Sequence, residues 1–569
     1  MLTAYPHYLN RVIHDLNGIW DFHLTDGVDA PEAPDHASVA YDDRLPVPGV
    51  FDTMPRYAGR RGTAFYRTFV TVSPGTKLLL KSPGLGMWCA FFWDGRRIGI
   101  HDLPYSGMEF VFDAGEGAEH ELVAVIDNRF DAARQPLLSP FFDFYCYGGI
   151  FRPLELHELP PLALDRAQVR VTDLEAGEVR VTVFFHGENP PDTVALECRF
   201  DAEAPTVRTL ELRDGRAEFT AVLADKRRWD CDHPVLHTLR ISANGETLVE
   251  RFGLRTVAAR AGKILLNGEA IRFCGFCRHE SHPEFGAALP LPVIMEDLQL
   301  LRQLGCNFVR GCHYPQDQRF LDLCDEFGIL VWEETLGWGI KPEQYADQCF
   351  VRAQRRQTAP MVKNSGNHPS VILWGFMNEG ASDDPASRFL YEGMISDLHR
   401  LDPSRLVTYA TNKITGDLDL DLADVIGLNH YPAWYTRDME TFRPLGEIAA
   451  KCDAILQSLH ERGFDDMPLI FSEIGAGAIY GWRDRFLGLW SEEYQADYLN
   501  TVLDYFFGHD RVSGISLWQF TDCRTFSSAY ALRSPRAFNN KGSFDEYRRP
   551  KLAAELVGRR FRAARGMEK

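Results

Sequence analysis

The spacing of apolar residues changes character twice along this chain. Residues 1–160 carry short β-prone runs: Asn17-Gly-Ile-Trp-Asp-Phe22, Thr63-Ala-Phe-Tyr-Arg-Thr-Phe-Val70, Lys77-Leu-Leu-Leu-Lys81 and Glu121-Leu-Val-Ala-Val-Ile-Asp127. Phe91-Phe-Trp-Asp-Gly-Arg-Arg-Ile-Gly99 reads as two strands about an Asp-Gly turn, the composition of a tight hairpin. No helical periodicity interrupts these runs, so a jelly-roll β-sandwich is expected. Its last segment, Phe141-Phe-Asp-Phe-Tyr-Cys-Tyr-Gly-Gly-Ile-Phe-Arg152, is too aromatic to lie in water. It is expected to pack on another domain and to project Asp143.

A Pro-rich linker, Leu159-Pro-Pro-Leu162, follows. Residues 161–257 then alternate polar and apolar in short runs such as Glu178-Val-Arg-Val-Thr-Val-Phe184 and Leu236-His-Thr-Leu-Arg-Ile-Ser242. Period-2 alternation at this spacing predicts an immunoglobulin-like sandwich, in which the sequence discloses no convergent polar cluster.

Over residues 258–569 strands and helices alternate. Candidate strands are Ile271–Arg278, Phe308–Cys312, Ile329–Trp332, Val371–Phe376, Leu406–Ala410, Val425–Leu428, Leu469–Ser472 and Gly514–Phe520. Between them Ile294, Leu298, Leu301 and Leu304 repeat at helical spacing up to Gly305, as do Phe320, Leu323, Cys324 and Phe327 up to Gly328. Ser491-Glu-Glu-Tyr494 opens a later helix with an N-cap serine and early acids. Eight strands alternating with helices predict a (β/α)8 TIM barrel, whose chemistry belongs at the C-terminal strand ends. Polar residues collect there: Arg278, His279 and Glu280; Arg310, His313 and Tyr314; Glu333 and Glu334; Asn378 and Glu379; Asn429, His430 and Tyr431; Glu473; and Trp518. Seven of the eight strands ending in this way argue for an enzyme.

Composition narrows the class. Hydrophobic residues make up 45% and charged residues 25%, values of a soluble globular protein, while 569 residues call for several domains. The formal net charge of −19 argues against nucleic acid and anionic membrane as partners, and it obliges any anionic ligand to find a local island of positive charge. No apolar run is long enough to span a bilayer. The start, Met-Leu-Thr-Ala-Tyr-Pro-His-Tyr, lacks the features of a secretory leader. With 12 scattered cysteines, this leads to an expectation of free thiols in a reducing cytoplasm. Cys274-Gly-Phe-Cys277 has no second pair, and its two cysteines would face opposite sides of a strand.

Two segments carry the candidate chemistry. Val371-Ile-Leu-Trp-Gly-Phe-Met-Asn-Glu379 and Pro468-Leu-Ile-Phe-Ser-Glu-Ile-Gly475 are buried-type strands that end on carboxylates. Glu379 and Glu473 would face each other across the barrel mouth, an arrangement suited to glycoside hydrolysis.

These motifs resemble glycoside hydrolase family 2, and within it the bacterial β-glucuronidases. Asn364-Ser-Gly-Asn-His-Pro-Ser-Val-Ile-Leu-Trp-Gly-Phe-Met-Asn-Glu379 is similar to the family's acid/base segment and Phe471-Ser-Glu-Ile-Gly475 to its nucleophile segment. The resemblance therefore implies Glu379 as general acid/base and Glu473 as nucleophile of a retaining enzyme. Val309-Arg-Gly-Cys-His-Tyr-Pro315 resembles the second-strand motif, which carries Arg310 and His313. Asn429-His-Tyr-Pro-Ala-Trp-Tyr435 resembles the segment that brings Tyr431 and Tyr435 to the site. In these roles Arg310 and Tyr431 would hold Glu473 ionised, Asn378 would bond the sugar 2-hydroxyl, and a nearby negative charge with low dielectric would raise Glu379. Trp518 would line the sugar site.

Sugar choice would rest elsewhere. Asn539 and Lys541, in Ala537-Phe-Asn-Asn-Lys-Gly-Ser-Phe544, resemble the signature that grips a C6 carboxylate, and a carboxylate entering an acidic protein needs such a cation and amide. Arg533 or Arg536 is expected to supplement them. Asp143 matches the aspartate that reaches the sugar near C4, or caps a turn. The implied reaction is exo-hydrolysis of a terminal β-linked uronic acid, foremost β-D-glucuronate, with the C4 epimer galacturonate as the alternative. A β-galactosidase and a non-catalytic carbohydrate-binding relative rank lower. The expected partner is a small-molecule glucuronide or uronic-acid saccharide. No cofactor or metal is expected, His279, Glu280 and His282 being read as hydrogen-bonding groups. Gly337-Trp-Gly-Ile-Lys-Pro-Glu343 runs quickly into the next helix, so the aglycone side should be open or completed by a neighbouring subunit of a homo-oligomer. Trp338 there either stacks on substrate or wedges the loop.

Overall fold

The computed structural model describes residues 4–140, 142–435, 445–526 and 535–567. The N-terminal region is a sandwich of two antiparallel sheets. The larger has six strands in the order Asp43–Val47, Gly18–Thr25, Thr63–Thr71, Glu119–Asp127, Trp88–Trp93, Arg96–His101. The smaller has four: Ile13–Asp15, Glu155–Leu159, Lys77–Ser82, Met108–Asp113. Inward-facing Trp20, Phe22, Tyr66, Phe91 and Trp93 of the first meet Leu78, Leu80, Phe112 and Leu156 of the second. The Asp-Gly hairpin forms between Trp93 and Arg96, with Asp94 at φ 47 and Gly95 at φ 77, the two left-handed residues a twisted two-residue turn requires.

The second sandwich pairs a three-stranded sheet (Ala163–Asp173, Glu178–His186, Arg216–Val222) with a five-stranded one. The edge of the latter is His7–Leu9, which pairs antiparallel with Glu246–Phe252, so the start of the chain serves the second sandwich. The alternation seen in the sequence becomes alternate burial: Val179, Val181, Val183 and Phe185 face the core. Contrary to the sequence reading, polar residues do converge here. Asp201, Asp225 and His237 lie together, and His237 bridges the Asp201 carboxylate (2.8 Å) and the Arg227 carbonyl (2.9 Å), bracing a loop.

The remainder closes into a barrel of eight parallel strands: Phe273–Arg278, Phe308–Gly311, Leu330–Glu334, Val371–Asn378, Leu406–Thr411, Val425–Asn429, Leu469–Ile474 and Val512–Leu517. Several run beyond the stretches their apolar residues suggest, because they end on polar residues that point into the mouth. The Trp332 indole fills the barrel interior, and the fourth and sixth strands make room for it with glycine. A Cβ on Gly375 would lie 2.0 Å from the indole nitrogen, and one on Gly427 would lie 2.7 Å from its far edge. The C-x-x-C cysteines divide as strand geometry demands: Cys274 joins the outer core and Cys277 an inner cluster with Cys312 and Trp518. The helix after the second strand, Gln318–Phe327, is capped by Asp317 and stopped at Gly328 (φ 70).

The aromatic segment of the first sandwich docks on the barrel mouth. Tyr105 stacks on Tyr314 at 3.9 Å, and Phe144 lies 5.1 Å from the His279 ring. Beneath them Arg152, wholly buried, donates to Glu280 (2.9 Å) and to the carbonyls of Pro315, Pro83 and Tyr105. Removing one member of a buried ion pair leaves an unmatched charge in low dielectric. Arg152→Met is therefore expected to cost about 3–5 kcal/mol, seen as an earlier unfolding transition in urea; an unchanged midpoint would deny the pair this role.

Candidate active site

At the end of the fourth strand the backbone departs from ideal pairing. Its register with the fifth strand jumps from Gly375–Thr408 to Asn378–Ala410, so one extra residue bulges out. Met377 and Glu379 take left-handed φ values of 58 and 52, a conformation that costs residues with side chains on the order of 1 kcal/mol or more. The Glu379 amide is held by the Ala410 carbonyl at 2.8 Å. The bulge turns Asn378 and Glu379 inward together, where strict alternation would separate them.

Opposite, Arg310 organises the floor. Its guanidinium donates to Glu473 Oε1 (2.8 Å), to both Glu334 oxygens (3.0 and 3.1 Å) and to Asn378 Oδ1 (2.9 Å), and it lies 4.8 Å over the Trp332 ring. Burial works against the charge of Arg310, but Glu334 and Glu473 outweigh it and hold the group protonated more firmly than in water. Tyr431 donates its hydroxyl to Glu473 Oε2 at 2.7 Å. His313 Nδ1 lies 2.8 Å from Glu334 Oε1, and burial, followed by the Arg310 charge, keeps the imidazole neutral. With Nδ1–H given to Glu334, Nε2 is left as a buried acceptor, and it makes no hydrogen bond among the described residues. His279 is the complement. Its Nδ1 lies 3.2 Å from the Tyr314 hydroxyl, and its Nε2 is likewise buried and without a partner among the described residues. Trp518 stacks on His313 at 5.3 Å and meets His279 edge-on.

The two carboxyls sit in unlike company. Among the described residues Glu379 accepts one hydrogen bond, from Asn429 Nδ2 at 2.9 Å. Burial is the main force raising its pKa, and the negative charge that adds to it is Asp143. Low dielectric is thus the larger of the two causes expected from the sequence. Burial also raises Glu473, with the Glu379 charge adding and Arg310 and Tyr431 opposing. Arg310 and Tyr431 both donate to Glu473, so a proton shared by the pair belongs on Glu379. Asn378 accepts from Arg310 and Asn429 through Oδ1, while its buried Nδ2 has no partner among the described residues. That amide is a donor waiting for an acceptor.

A second corner lies beside the first. Asn539 Nδ2 donates to Asp143 Oδ2 at 2.6 Å, joining residues 396 apart in sequence. Burial raises Asp143, with Lys541 and Asn539 opposing. The Lys541 ammonium stands 5.0 Å over the Tyr435 ring and 5.9 Å over that of Tyr431, which links this corner to the Glu473 clamp. Behind it buried Lys551 donates to Asp522 (2.7 Å) and to the Ala478 and Asn540 carbonyls, pinning the loop.

Most of the residues singled out from sequence meet at this mouth. Arg533 lies outside the described residues. Arg536 is committed to Glu546 (2.8 Å) and Asn540 (2.9 Å) and braces the loop. Glu280 is taken by Arg152. Glu333 faces away and accepts from Ser365 at 3.0 Å, because neighbours on a strand point to opposite sides. Trp338 pairs through its backbone with Asn378 and lies 5.6 Å from the Phe142 ring, so it ties the strand-three loop to the N-terminal sandwich. Glu334, Asn429 and Lys413 were not assigned roles from sequence; parity along the strand picks out Glu334 over Glu333 once its inner face is known.

A barrel mouth with two buried carboxyls, one clamped by arginine and tyrosine and the other nearly bare, has the chemistry of a glycoside hydrolase. Comparison with known proteins agrees: residues 257–564 match the TIM barrel domain of glycosyl hydrolases family 2, and the chain belongs to that family. It is similar to the β-glucuronidase of Canis lupus familiaris (28% identical over 613 residues, 97% of this chain and 91% of the relative). It is also similar to that of Paenibacillus borealis (26% over 607 residues, 97% of each). Among solved structures, a family 2 β-galacturonidase from Eisenbergiella tayi bound to galacturonate superposes with a TM-score of 0.90 at 30% identity, covering 99% of both chains.

Proposed function

We propose that this protein is a retaining exo-β-uronidase that releases a terminal β-linked uronic acid, with glucuronate as the first candidate. The observation that carries this reading is the Asp143–Asn539–Lys541 corner beside the Glu379–Glu473 pair. A cation and an amide stand beside Tyr431, the residue that donates to Glu473. In an acidic protein such an island selects for a carboxylate. The relatives named above act on uronides, which supports the same class. The galacturonidase relative supports the C4 epimer as a second reading.

In the reaction Glu473, ionised under Arg310 and Tyr431, attacks the anomeric carbon. Glu379 gives its proton to the glycosidic oxygen and the C1–O bond to the leaving group breaks. The resulting glycosyl ester is neutral, so the charge that Arg310 held is gone and Glu379 is left as the anion. It then takes a proton from water attacking C1, and Glu473 departs as a carboxylate. Asn378 Nδ2 donates to the 2-oxygen, a contact that tightens as the ring flattens. His313 Nε2 and His279 Nε2 offer an acceptor and a donor to the remaining hydroxyls, against the Trp518 face. Phe144 closes the site from the N-terminal sandwich.

No described helix is long and apolar enough to cross a membrane. A cytoplasmic enzyme assembled as a homo-oligomer accords with the free thiols and with the exposed Trp482 and Phe486.

Hydrolysis of aryl β-glucuronide, β-galacturonide and β-galactoside in parallel tests the assignment. Faster cleavage of the neutral galactoside than of either uronide would remove it. Lys541→Ala is expected to lower kcat/KM on a uronide by about 10–100-fold, the worth of a charged hydrogen bond, and a neutral glycoside far less; equal losses would show that Lys541 does not read the carboxylate. The Asn429 hydrogen bond favours ionised Glu379, so its loss raises the acid's pKa further. Asn429→Ala should therefore shift the alkaline limb of the kcat/KM–pH profile to higher pH. A shift to lower pH would contradict the assignment of the acid.

A further inference from the structure

Lys413 is a charge at the mouth that the reaction above leaves unused. It stands just past the fifth barrel strand (Leu406–Thr411), the neighbour of the strand bearing Glu379. The Glu379 amide is bonded to Ala410 on that same strand end, so the acid and Lys413 share one rim. The loop that carries Lys413 is braced by hydrogen bonds. Its amide is held by Thr411 Oγ1 (3.0 Å), and its carbonyl accepts from the amides of Gly416 (2.8 Å) and Asp417 (2.7 Å). Asp417 is itself buried and accepts from Ser382 Oγ (2.5 Å) and the Tyr409 hydroxyl (2.8 Å). The side chain is half-buried. Among the described residues its ammonium makes no ion pair or hydrogen bond with the protein. Even so, its charge bears on Glu379 and favours the ionised acid.

A lysine partly shielded from water on a braced loop, with no ion-pair or hydrogen-bond partner among the described residues, has donors left for a ligand to fill. Its position says what would satisfy it. Glu379 protonates the oxygen that joins the sugar to its leaving group. A cation on the Glu379 rim therefore faces the leaving group, while the uronic carboxylate is met by Lys541 on the loop after the eighth strand. A substrate with two anionic groups would be repelled by the protein's net charge unless each met a cation of its own.

We propose that Lys413 recognises a carboxylate or sulfate on the leaving group, so that the preferred substrates are β-uronides of acidic partners, such as the terminal unit of an acidic oligosaccharide. This rests on the uronidase reading above. The test compares 3-carboxyphenyl, 3-sulfophenyl and 3-carbamoylphenyl β-glucuronides and β-galacturonides, with the phenyl β-galactoside alongside. The intact enzyme should favour the anionic aglycones over the neutral amide by about tenfold in kcat/KM, and the better of the two identifies carboxylate or sulfate. In Lys413→Gln that ratio should fall to about one, and Lys413→Arg should restore most of it. A ratio unchanged in Lys413→Gln overturns the proposal. Equal losses on charged and neutral aglycones overturn it too, since they would mean that Lys413 acts only through Glu379. Cleavage of the galactoside with none of the uronides would instead reject the sugar assignment on which the proposal stands.

Discussion

The site depends on one buried guanidinium. Arg310 has no exposed surface, and its donors are spent on Glu473, Glu334 and Asn378. An arginine in that position is costly unless its charge is matched and its N–H groups are filled; here the matching groups are the working parts of the site. Glu334 orients both Arg310 and the His313 tautomer. Asn378, by accepting from Arg310 through Oδ1, turns its amide nitrogen away from the guanidinium, where no described residue meets it. Two donors, Arg310 and Tyr431, favour the anion on Glu473, whereas Glu379 accepts from Asn429 alone among the described residues. Two chemically identical side chains thus differ in their hydrogen-bond partners, which is the basis of the opposite roles proposed for them.

The second dependence is between domains. Asp143 comes from the N-terminal sandwich and Asn539 from beyond the last barrel strand, so the corner assigned to the carboxylate exists only when the two units are docked. Arg152, Tyr105 and Phe144 secure that docking with a buried ion pair and stacked rings. The aromatic loop therefore positions a polar group with a precision that a solvent-exposed loop lacks.

Much of this was legible in the sequence, for physical reasons. Apolar strand runs that stop on polar residues are what barrel strands must look like, and they located Glu379, Glu473, Arg310 and Tyr431 directly. The Asp-Gly hairpin and the alternation of Val179, Val181 and Val183 were equally open to reading. The contents of the tertiary contacts were hidden. Nothing local distinguishes Glu334 from Glu333, since the difference is which face of the strand looks inward. The bulge that brings Asn378 and Glu379 to one side breaks the alternation from which orientation is read. Arg536 looked like a ligand for the carboxylate because its partner Glu546 is recognisable only once the loop is folded. His7–Leu9 gave no hint that it would pair with Glu246–Phe252.

The central claim is that Glu473 is a nucleophile and Glu379 the acid that later serves as base. The most direct measurement is proton NMR of an aryl β-uronide during hydrolysis, following the anomeric signal of the released sugar before mutarotation. Two displacements at C1 predict that the β-anomer appears first. If the α-anomer appears first, water attacks in a single step, Glu473 is a base, and the account of the site is wrong.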